Sequence, residues 1–251
     1  MNIQIIIQAR TGSTRLPKKV LSKLGQFNCL QHVINRSMRS GRVSQVVVAT
    51  TDHKDDNIVE TCALQAGAVC FRGSELDVLD RYYCAAKKYS ADLIVRITGD
   101  CPCTDPEVID FVIDQHCSSG VDFTSNAACG EGLEGRGRTF PRGTDVEVIT
   151  YETLSRCHLE ARKGNEREHV TPYIIMHPEI FKTQSIKAPA QWEDPKLRLT
   201  LDTSEDLDLL CEVFRQLGSD FDLSDVINLV ADNPWMRKIN CHVPYEDPLE
   251  N

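Results

Sequence analysis

Residues 8–19 read QARTGSTRLPKK: Arg10, Arg15, Lys18 and Lys19 interleave with Gly12, Ser13 and Thr14 directly behind an apolar run. Small and hydroxylated residues let backbone N–H groups and hydroxyls approach phosphate oxygens, while the four cations add charge-assisted donors. The spacing is neither a P-loop nor the Gly-x-Gly-x-x-Gly dinucleotide fingerprint. Phosphate gripped chiefly by side-chain cations points to a nucleoside triphosphate whose pyrophosphate leaves. A solvated basic surface is the competing account. It suits Arg36, Arg39 and Arg42, which fall in a helical segment, better than the cations of the loop.

A polyphosphate normally arrives with Mg²⁺, which takes one or two carboxylates together with phosphate oxygens and water. Two acids stand where such ligands belong. Asp100, in VRITGDCP, follows an apolar run, with Gly99 allowing the backbone to turn. Asp202, in LRLTLDTSEDLDLL, follows a strand-like run and precedes a helical one. Each has a plain alternative: Asp100 as a turn residue, and Asp202 or Thr203 as a helix N-cap with Glu205 in the first turn.

These residues need a scaffold that gathers them at one edge. Short β-branched runs at 3–7, 46–49, 68–71 and 93–97 alternate with segments of helical spacing, such as Leu30, Val33, Ile34 and Met38, or Val78, Tyr82, Ala85 and Tyr89. That rhythm predicts a parallel sheet with helices on both faces, and ligands then bind beyond the carboxyl ends of the strands. Asp105-Pro106-Glu107 reads as a helix start, and Gly41, Gly67 and Gly120 as helix stops. Beyond residue 120 the pattern predicts a long glycine-rich loop over 126–145 and helices over 151–162 and 166–176. A strand at 197–201, helices over 204–217 and 223–231, and an irregular tail follow. One domain, 1–251, accommodates this, with a nucleotide-binding half at 1–120 and an acceptor-binding, metal-completing half at 121–251.

Charge distribution narrows the partners. The net charge is -9, yet no acid precedes Asp52 while eight basic residues do, leaving 20 basic against 37 acidic residues in the remainder. A globally acidic chain is a poor binder of a nucleic-acid backbone, and a compact basic site suits a small polyanion. No stretch approaches the roughly 20 apolar residues of a membrane helix, which leads to the expectation of a cytoplasmic protein. Eleven cysteines are scattered, odd in number and mostly within apolar segments, as reduced core residues are. Cys101 and Cys103 lack a second pair at metal-ligand spacing, and no cysteine has an evident base partner for nucleophilic chemistry.

The motif AR-x-x-STRLP-x-K, here Ala9, Arg10, Ser13, Thr14, Arg15, Leu16, Pro17 and Lys19, resembles the signature loop of the CMP-sugar synthetases. These cytidylyltransferases activate 3-deoxy-manno-octulosonate and neuraminate-type acids. Gly99-Asp100-x-Pro102 and LDTSEDL at 201–207 resemble that family's two other marks. FRGSELDVLDRYY, RITGDCP, FPRGTDVEV and EREHVTPYI are similar to the spore coat polysaccharide biosynthesis protein F branch, over nearly the whole chain. The resemblance implies an α/β fold of three layers, α/β/α, with a mixed, mainly parallel sheet of the nucleotide-diphospho-sugar transferase kind. It further implies that Arg10, Arg15 and Lys19 grip CTP, that Asp100 and Asp202 hold Mg²⁺, and that Arg72, Gly73 and Ser74 lie near cytosine and ribose. Lys18 replaces a common glycine and adds charge; Thr98 replaces a common glutamine, which weakens the cytidine expectation relative to triphosphate binding.

The reaction so implied is attack of a sugar hydroxyl on the α-phosphorus of CTP, with placement and charge neutralisation as the protein's work. The acceptor then belongs to the second half. Arg138 or Arg142 would meet an acidic sugar, Asp145 and Glu147 would accept from its hydroxyls, and Glu166-Arg167-Glu168-His169 opens a helix close by; loop-to-core salt bridges are the alternative for the loop residues, and a hydrogen bond to a neighbouring carboxylate is the alternative for His169. Two other functions compete. A glycosyltransferase of the same fold would need an Asp-x-Asp-like site, whereas Asp100-Cys101-Pro102 lacks the second acid. An idle nucleotide-binding module would not need the full set of cations and acids. Related synthetases pair as homodimers, and Trp235 in the tail is a candidate contact.

Overall fold

A computed structural model of the protein describes residues 1–127 and 137–244. Strands β1 (Ile3–Gln8), β2 (Lys23–Leu24), β3 (Phe27–Asn28), β4 (Gln45–Thr51), β5 (Val69–Gly73), β6 (Leu93–Thr98), β7 (Phe123–Ser125), β8 (Glu147–Thr150) and β9 (Thr183–Ser185) form one large sheet and a β2–β3 ribbon. The large sheet runs β5-β4-β1-β6-β8-β7-β9. Its members are parallel except β8, which runs antiparallel to both β6 and β7. A mixed, mainly parallel sheet is therefore present as expected.

Among the described residues ten α-helices accompany it: α1 (Cys29–Ser37), α2 (Asn57–Gln65), α3 (Val78–Lys88), α4 (Pro106–Ser119), α5 (Tyr151–Glu160), α6 (Gly164–His169), α7 (Pro172–Met176), α8 (Ser204–Leu217), α9 (Leu223–Asp232) and α10 (Pro234–Asn240). Alternation along β1 explains the three layers. Ile3, Ile5 and Ile7 enter a core with α1, α2, α4, α8 and α9, whereas Ile6 enters a second core with α3, α5 and α7. A strand buried on both faces gains about 1.5–3 kcal/mol from each such side chain, so the run carries no polar alternation.

Several expectations need correction. Residues 197–201 are extended but form no strand, because their partners lie in two separate loops. Arg142 N donates to Leu197 O, Leu199 N to Arg142 O and Leu201 N to Asp100 O, giving only an isolated bridge. The helix expected over 166–176 is broken, since Val170 adopts φ 73° and Pro172 has no N–H to continue α6. Gly120 and Gly67 follow their helices with positive φ, but Gly41 does not end α1; that helix stops at Ser37, and Gly41 N instead meets Asp110. The tail is not irregular at Trp235, which sits in α10 behind Pro234 and is half-exposed. Part of the glycine-rich loop, 128–136, lies outside the described residues, as does Cys129. The ten described cysteines are free thiols, yet Cys117, Cys211 and Cys241 are exposed rather than in the core.

The loop carrying Arg138 and Arg142 is pinned against 197–201 at Gly143. Its φ is +86°, and a Cβ there would fall 2.4 Å from Thr200 N. Gly143→Ala is therefore expected to lower stability by about 1–3 kcal/mol, read as an earlier midpoint in urea unfolding. An unchanged midpoint would show that the loop yields freely.

Candidate active site

The cationic loop is shaped from behind by a buried acid. Asp56 accepts from Thr11 N and Thr11 Oγ1, each at 2.7 Å, and from Thr51 Oγ1. Thr11 O in turn accepts from Ser13 N at 2.9 Å and Lys18 N at 3.1 Å, with Lys18 in the left-handed region at φ 58°. Thr11 is thus a pivot held on both sides. Burial opposes the Asp56 carboxylate, but hydrogen bonds from Thr51 and Thr11 outweigh it and lower its pKa below the ordinary aspartate value.

The end of β6 reaches the loop through Gly99. Its N donates to Gln8 O at 2.8 Å, and a Cβ there would lie 2.9 Å from both Ala9 Cβ and Gln8 O. This close approach places Asp100 against Lys19. Lys19 Nζ stands 2.5 Å from Asp100 Oδ2 and 2.7 Å from Asp202 Oδ1. Arg15 reaches Asp202 Oδ1 at 2.9 Å, and Arg198 holds Asp202 Oδ2 at 2.8 Å while also gripping Asp206. Asp202 is not the helix cap; Thr203 takes that role, accepting from Asp206 N, and the Asp202 side chain is left to the cations.

Burial works against the Lys19 ammonium, but Asp100 and Asp202 together raise its pKa above that of an ordinary lysine. Burial likewise opposes ionised Asp100, and Lys19 reverses the balance, lowering its pKa. Both groups are charged at neutral pH. Asp100 Oδ2 and Asp202 Oδ1 converge on a single cation position, and two carboxylates facing one such position match what Mg²⁺ asks of a protein when phosphate oxygens complete its shell.

A cleft of about 430 Å³ opens beside this node. Ala9, Arg10, Gly12, Ser13, Thr14, Arg15, Lys19, Gly99, Asp100 and His169 line it, together with Gln8, Thr98, Val78, Arg81 and Glu168. Burial lowers the His169 pKa, so the imidazole is neutral at pH 7 and available as an acceptor. The cleft lining thus combines cations with hydrogen-bond acceptors.

Other expected residues stand elsewhere. Lys18 is exposed and outside the cleft lining. Arg72 spends its guanidinium on Thr51 O, His53 O, Asn57 and Glu60, stitching β5 to β4 and α2. Gly73 O accepts from Asp52 N, and Ser74 Oγ from Asp77 N; neither residue lines the cleft. Arg138 bonds to Phe140 O, Pro141 O and Asp145, and Glu147 bonds to Arg96 and Thr171. Arg142 bridges Arg198 through its backbone. The structure brings none of these four into the cleft lining, and the hydrogen bonds of Arg138, Asp145 and Glu147 are those of loop-to-core pairing. Sequence reasoning missed Arg81, Glu168 and Gln8. A signal for Arg81 was present: it lies three residues after Val78, a charge on the apolar face of α3.

Comparison with known proteins agrees with this geometry. The profile of the cytidylyltransferase family matches residues 4–211. The chain belongs to the cytidylyltransferase family. Spore coat polysaccharide biosynthesis protein SpsF of Bacillus subtilis is 36% identical over 242 residues, 93% of this chain and 95% of that protein. A 3-deoxy-manno-octulosonate cytidylyltransferase of Anaeromyxobacter dehalogenans is 35% identical over 204 residues, 76% and 80% of the two chains. The solved structure of a cytidylyltransferase from Leptospira borgpetersenii superposes with a TM-score of 0.88 at 35% identity, covering 98% of this chain and 100% of that one. This cytidylyltransferase is accordingly a nucleotidyltransferase enzyme with the nucleotidyltransferase-like α/β fold.

Asp56 gives the loop a pH signature. Its folded pKa is depressed, so its contribution to stability is present above the unfolded value of about 3.9 and is lost as pH falls through the lower folded value. Asp56→Asn should be less stable than wild type at pH 6, by about 1.5–3 kcal/mol for charge-assisted hydrogen bonds, and the gap should begin to narrow below about pH 4 and close only at lower pH, as the folded carboxyl protonates. Thermal melts across pH 2.5–6 check this, and a gap independent of pH would mean that the ionised carboxylate is not what holds Thr11.

Proposed function

We propose that this cytidylyltransferase transfers CMP from CTP to a hydroxyl of a sugar or sugar acid, with release of pyrophosphate, in the making of a surface glycan. The observation that carries the reading is the convergence of Asp100 and Asp202 on one cation position beside a cleft walled by Arg10, Arg15 and Lys19. The family, and the relatives named for spore coat polysaccharide and for 3-deoxy-manno-octulosonate, support the nucleotide and the acceptor class.

In this reading Asp100 and Asp202 hold Mg²⁺. Bound there, Mg²⁺ supplies neutralisation of triphosphate charge and polarisation of phosphate oxygens. Arg10 and Arg15 present guanidinium forks to the phosphate oxygens, and Lys19, once its two carboxylates are otherwise engaged, is released towards the same oxygens. Gly12, Ser13 and Thr14 let the chain approach them closely. The acceptor hydroxyl gives up its proton to solvent as its oxygen forms the bond to the α-phosphorus and the bond to the pyrophosphate oxygen breaks in line. Cations already in place stabilise the charge gathering on the departing pyrophosphate, which is where such an enzyme gains most. Neutral His169, facing the cleft, accepts a hydrogen bond from an acceptor hydroxyl and so helps to orient it. A glycosyltransferase reading would rest on an Asp-x-Asp pair, and Asp100-Cys101-Pro102 lacks its second acid.

Two experiments test the reading. Melting temperature should rise with CTP and Mg²⁺ more than with UTP, ATP, GTP or UDP-sugars, and the rise should vanish in EDTA and in Arg15→Ala. A rise with a UDP-sugar alone would sink the proposal. Pyrophosphate release with sugar acids should fall on the order of 10²–10³-fold in Asp100→Asn and in Lys19→Met, as expected for loss of one group stabilising transition-state charge. Turnover unchanged in Asp100→Asn would remove the metal role.

A further inference from the structure

Among the described residues, buried arginines are paired, with one exception. Arg36 lies 3.7 Å from Asp105 and donates to two backbone carbonyls; Arg138 pairs with Asp145 and Arg198 with Asp202 and Asp206, as the half-buried Arg96 does with Glu147. Arg81 is as deeply placed, 2% exposed, yet has no carboxylate partner among the described residues. It makes a single hydrogen bond, from Nη1 to Ser74 O at 2.7 Å, and its Nε is buried without a partner. A guanidinium taken out of water without a counter-charge is costly, and buried charges are ordinarily compensated. Arg81 is also a wall of the cleft.

Gln8 adds an independent observation. It lines the same cleft, and its Oε1 is buried without a partner. Alternation along β1 sends Gln8 to the same face as Ile6, the face on which α3 packs through Tyr82, whose hydroxyl donates to Ile6 O. One face of the sheet therefore carries a buried guanidinium with no carboxylate in ion-pair contact among the described residues, its nearest acids Asp56 and Glu75 acting only from a distance, together with an unpartnered N–H and a spare carbonyl acceptor.

We propose that Arg81 is an oxyanion-binding residue of the active-site cleft. Its ligand is a carboxylate or phosphate oxygen pair taken by the guanidinium fork, with Gln8 accepting from a hydroxyl of the same ligand. Of the two sources, the carboxylate of an acidic sugar fits better. The triphosphate already has Arg10, Arg15 and Lys19, whereas Arg138, expected to meet the acceptor acid, is bound to Asp145 and two carbonyls. Only this choice of source rests on the cytidylyl-transfer reading; the subsite itself rests on the unpaired guanidinium.

Isothermal titration of wild type, Arg81→Gln and Arg81→Lys tests it, with circular dichroism and melting curves to confirm that each variant folds. The probes are CTP with Mg²⁺, inorganic phosphate, pyrophosphate, acetate, 3-deoxy-manno-octulosonate and N-acetylneuraminate. The expected result is that Arg81→Gln weakens a sugar acid at least about tenfold and leaves CTP unchanged, with Arg81→Lys in between because it keeps the charge but loses the fork. Weakened CTP or phosphates with unchanged acids would keep the subsite and move it to the nucleotide. A wild type blind to CTP, yet binding an oxyanion through Arg81, would sink the cytidylyl-transfer reading and leave the subsite standing. A folded Arg81→Gln protein that treats every probe as wild type does overturns the subsite.

Discussion

Everything at the active site hangs on one ammonium group. Lys19 Nζ touches Asp100 and Asp202 at 2.5 and 2.7 Å, joining the loop after β1, the turn after β6 and the segment before α8. These are distant in sequence and meet only because β1 and β6 are adjacent parallel strands that end together. The node is balanced: Lys19, Arg15 and Arg198 face Asp100, Asp202 and Asp206. A balanced cluster has little to gain from a bare divalent cation, whose charge would repel the three cations already present. A metal arriving with a polyanion brings its own compensation and frees the cations to turn towards phosphate. On the proposed reading, the arrangement would therefore favour a metal–nucleotide complex over either alone.

Two backbone features make that node possible. Without Gly99 the turn after β6 would collide with Ala9 and Gln8, and Asp100 would be displaced from Lys19. Without Asp56 the Thr11 N–H and hydroxyl would lose their buried acceptor, and the turn that starts the cationic loop would lose its fixed end. Rigid placement of charge is what an electrostatic catalyst requires, since groups already oriented need not reorganise as charge develops. Glycine supplies closeness at one point and a carboxylate supplies tethering at the other.

How much of this the chain disclosed varies with length and burial. The long strands β1, β4, β5 and β6 are apolar enough, over five to seven residues, to be read directly. β7, β8 and β9 are three or four residues long, too short for periodicity to separate them from loop. The cationic loop and Asp100 were legible because charge directly behind an apolar strand has few structural uses. Asp202 was not decidable from spacing, because Asp202 and Thr203 are both good caps, and only the orientation of the Thr203 hydroxyl settles which one serves. Arg138, Asp145 and Glu147 have the composition of a sugar-acid site, yet their hydrogen bonds run among themselves and to neighbouring chain. Pairing is a three-dimensional property that residue type does not encode. Arg81 is the converse, a charge hidden on an apolar helical face.

The early excess of basic residues can now be apportioned. Arg36 is consumed in the core by Thr104 and Phe221 carbonyls near Asp105, Arg39 by Asp220 and Arg42 by Asp114, so acids from the later chain neutralise the helical cations. The loop cations differ: Arg10 is only 3.8 Å from Glu75 at the surface, and Lys18 is exposed. In a molecule of net charge -9, Arg10 and Lys18 are thus less compensated than the helical cations. A long nucleic acid needs a broad basic face, which this charge distribution does not supply, and on the proposed reading the local cations suit a small triphosphate instead. Selectivity for a small polyanion over a large one therefore begins with the distribution of charge, before any contact with the base or the sugar.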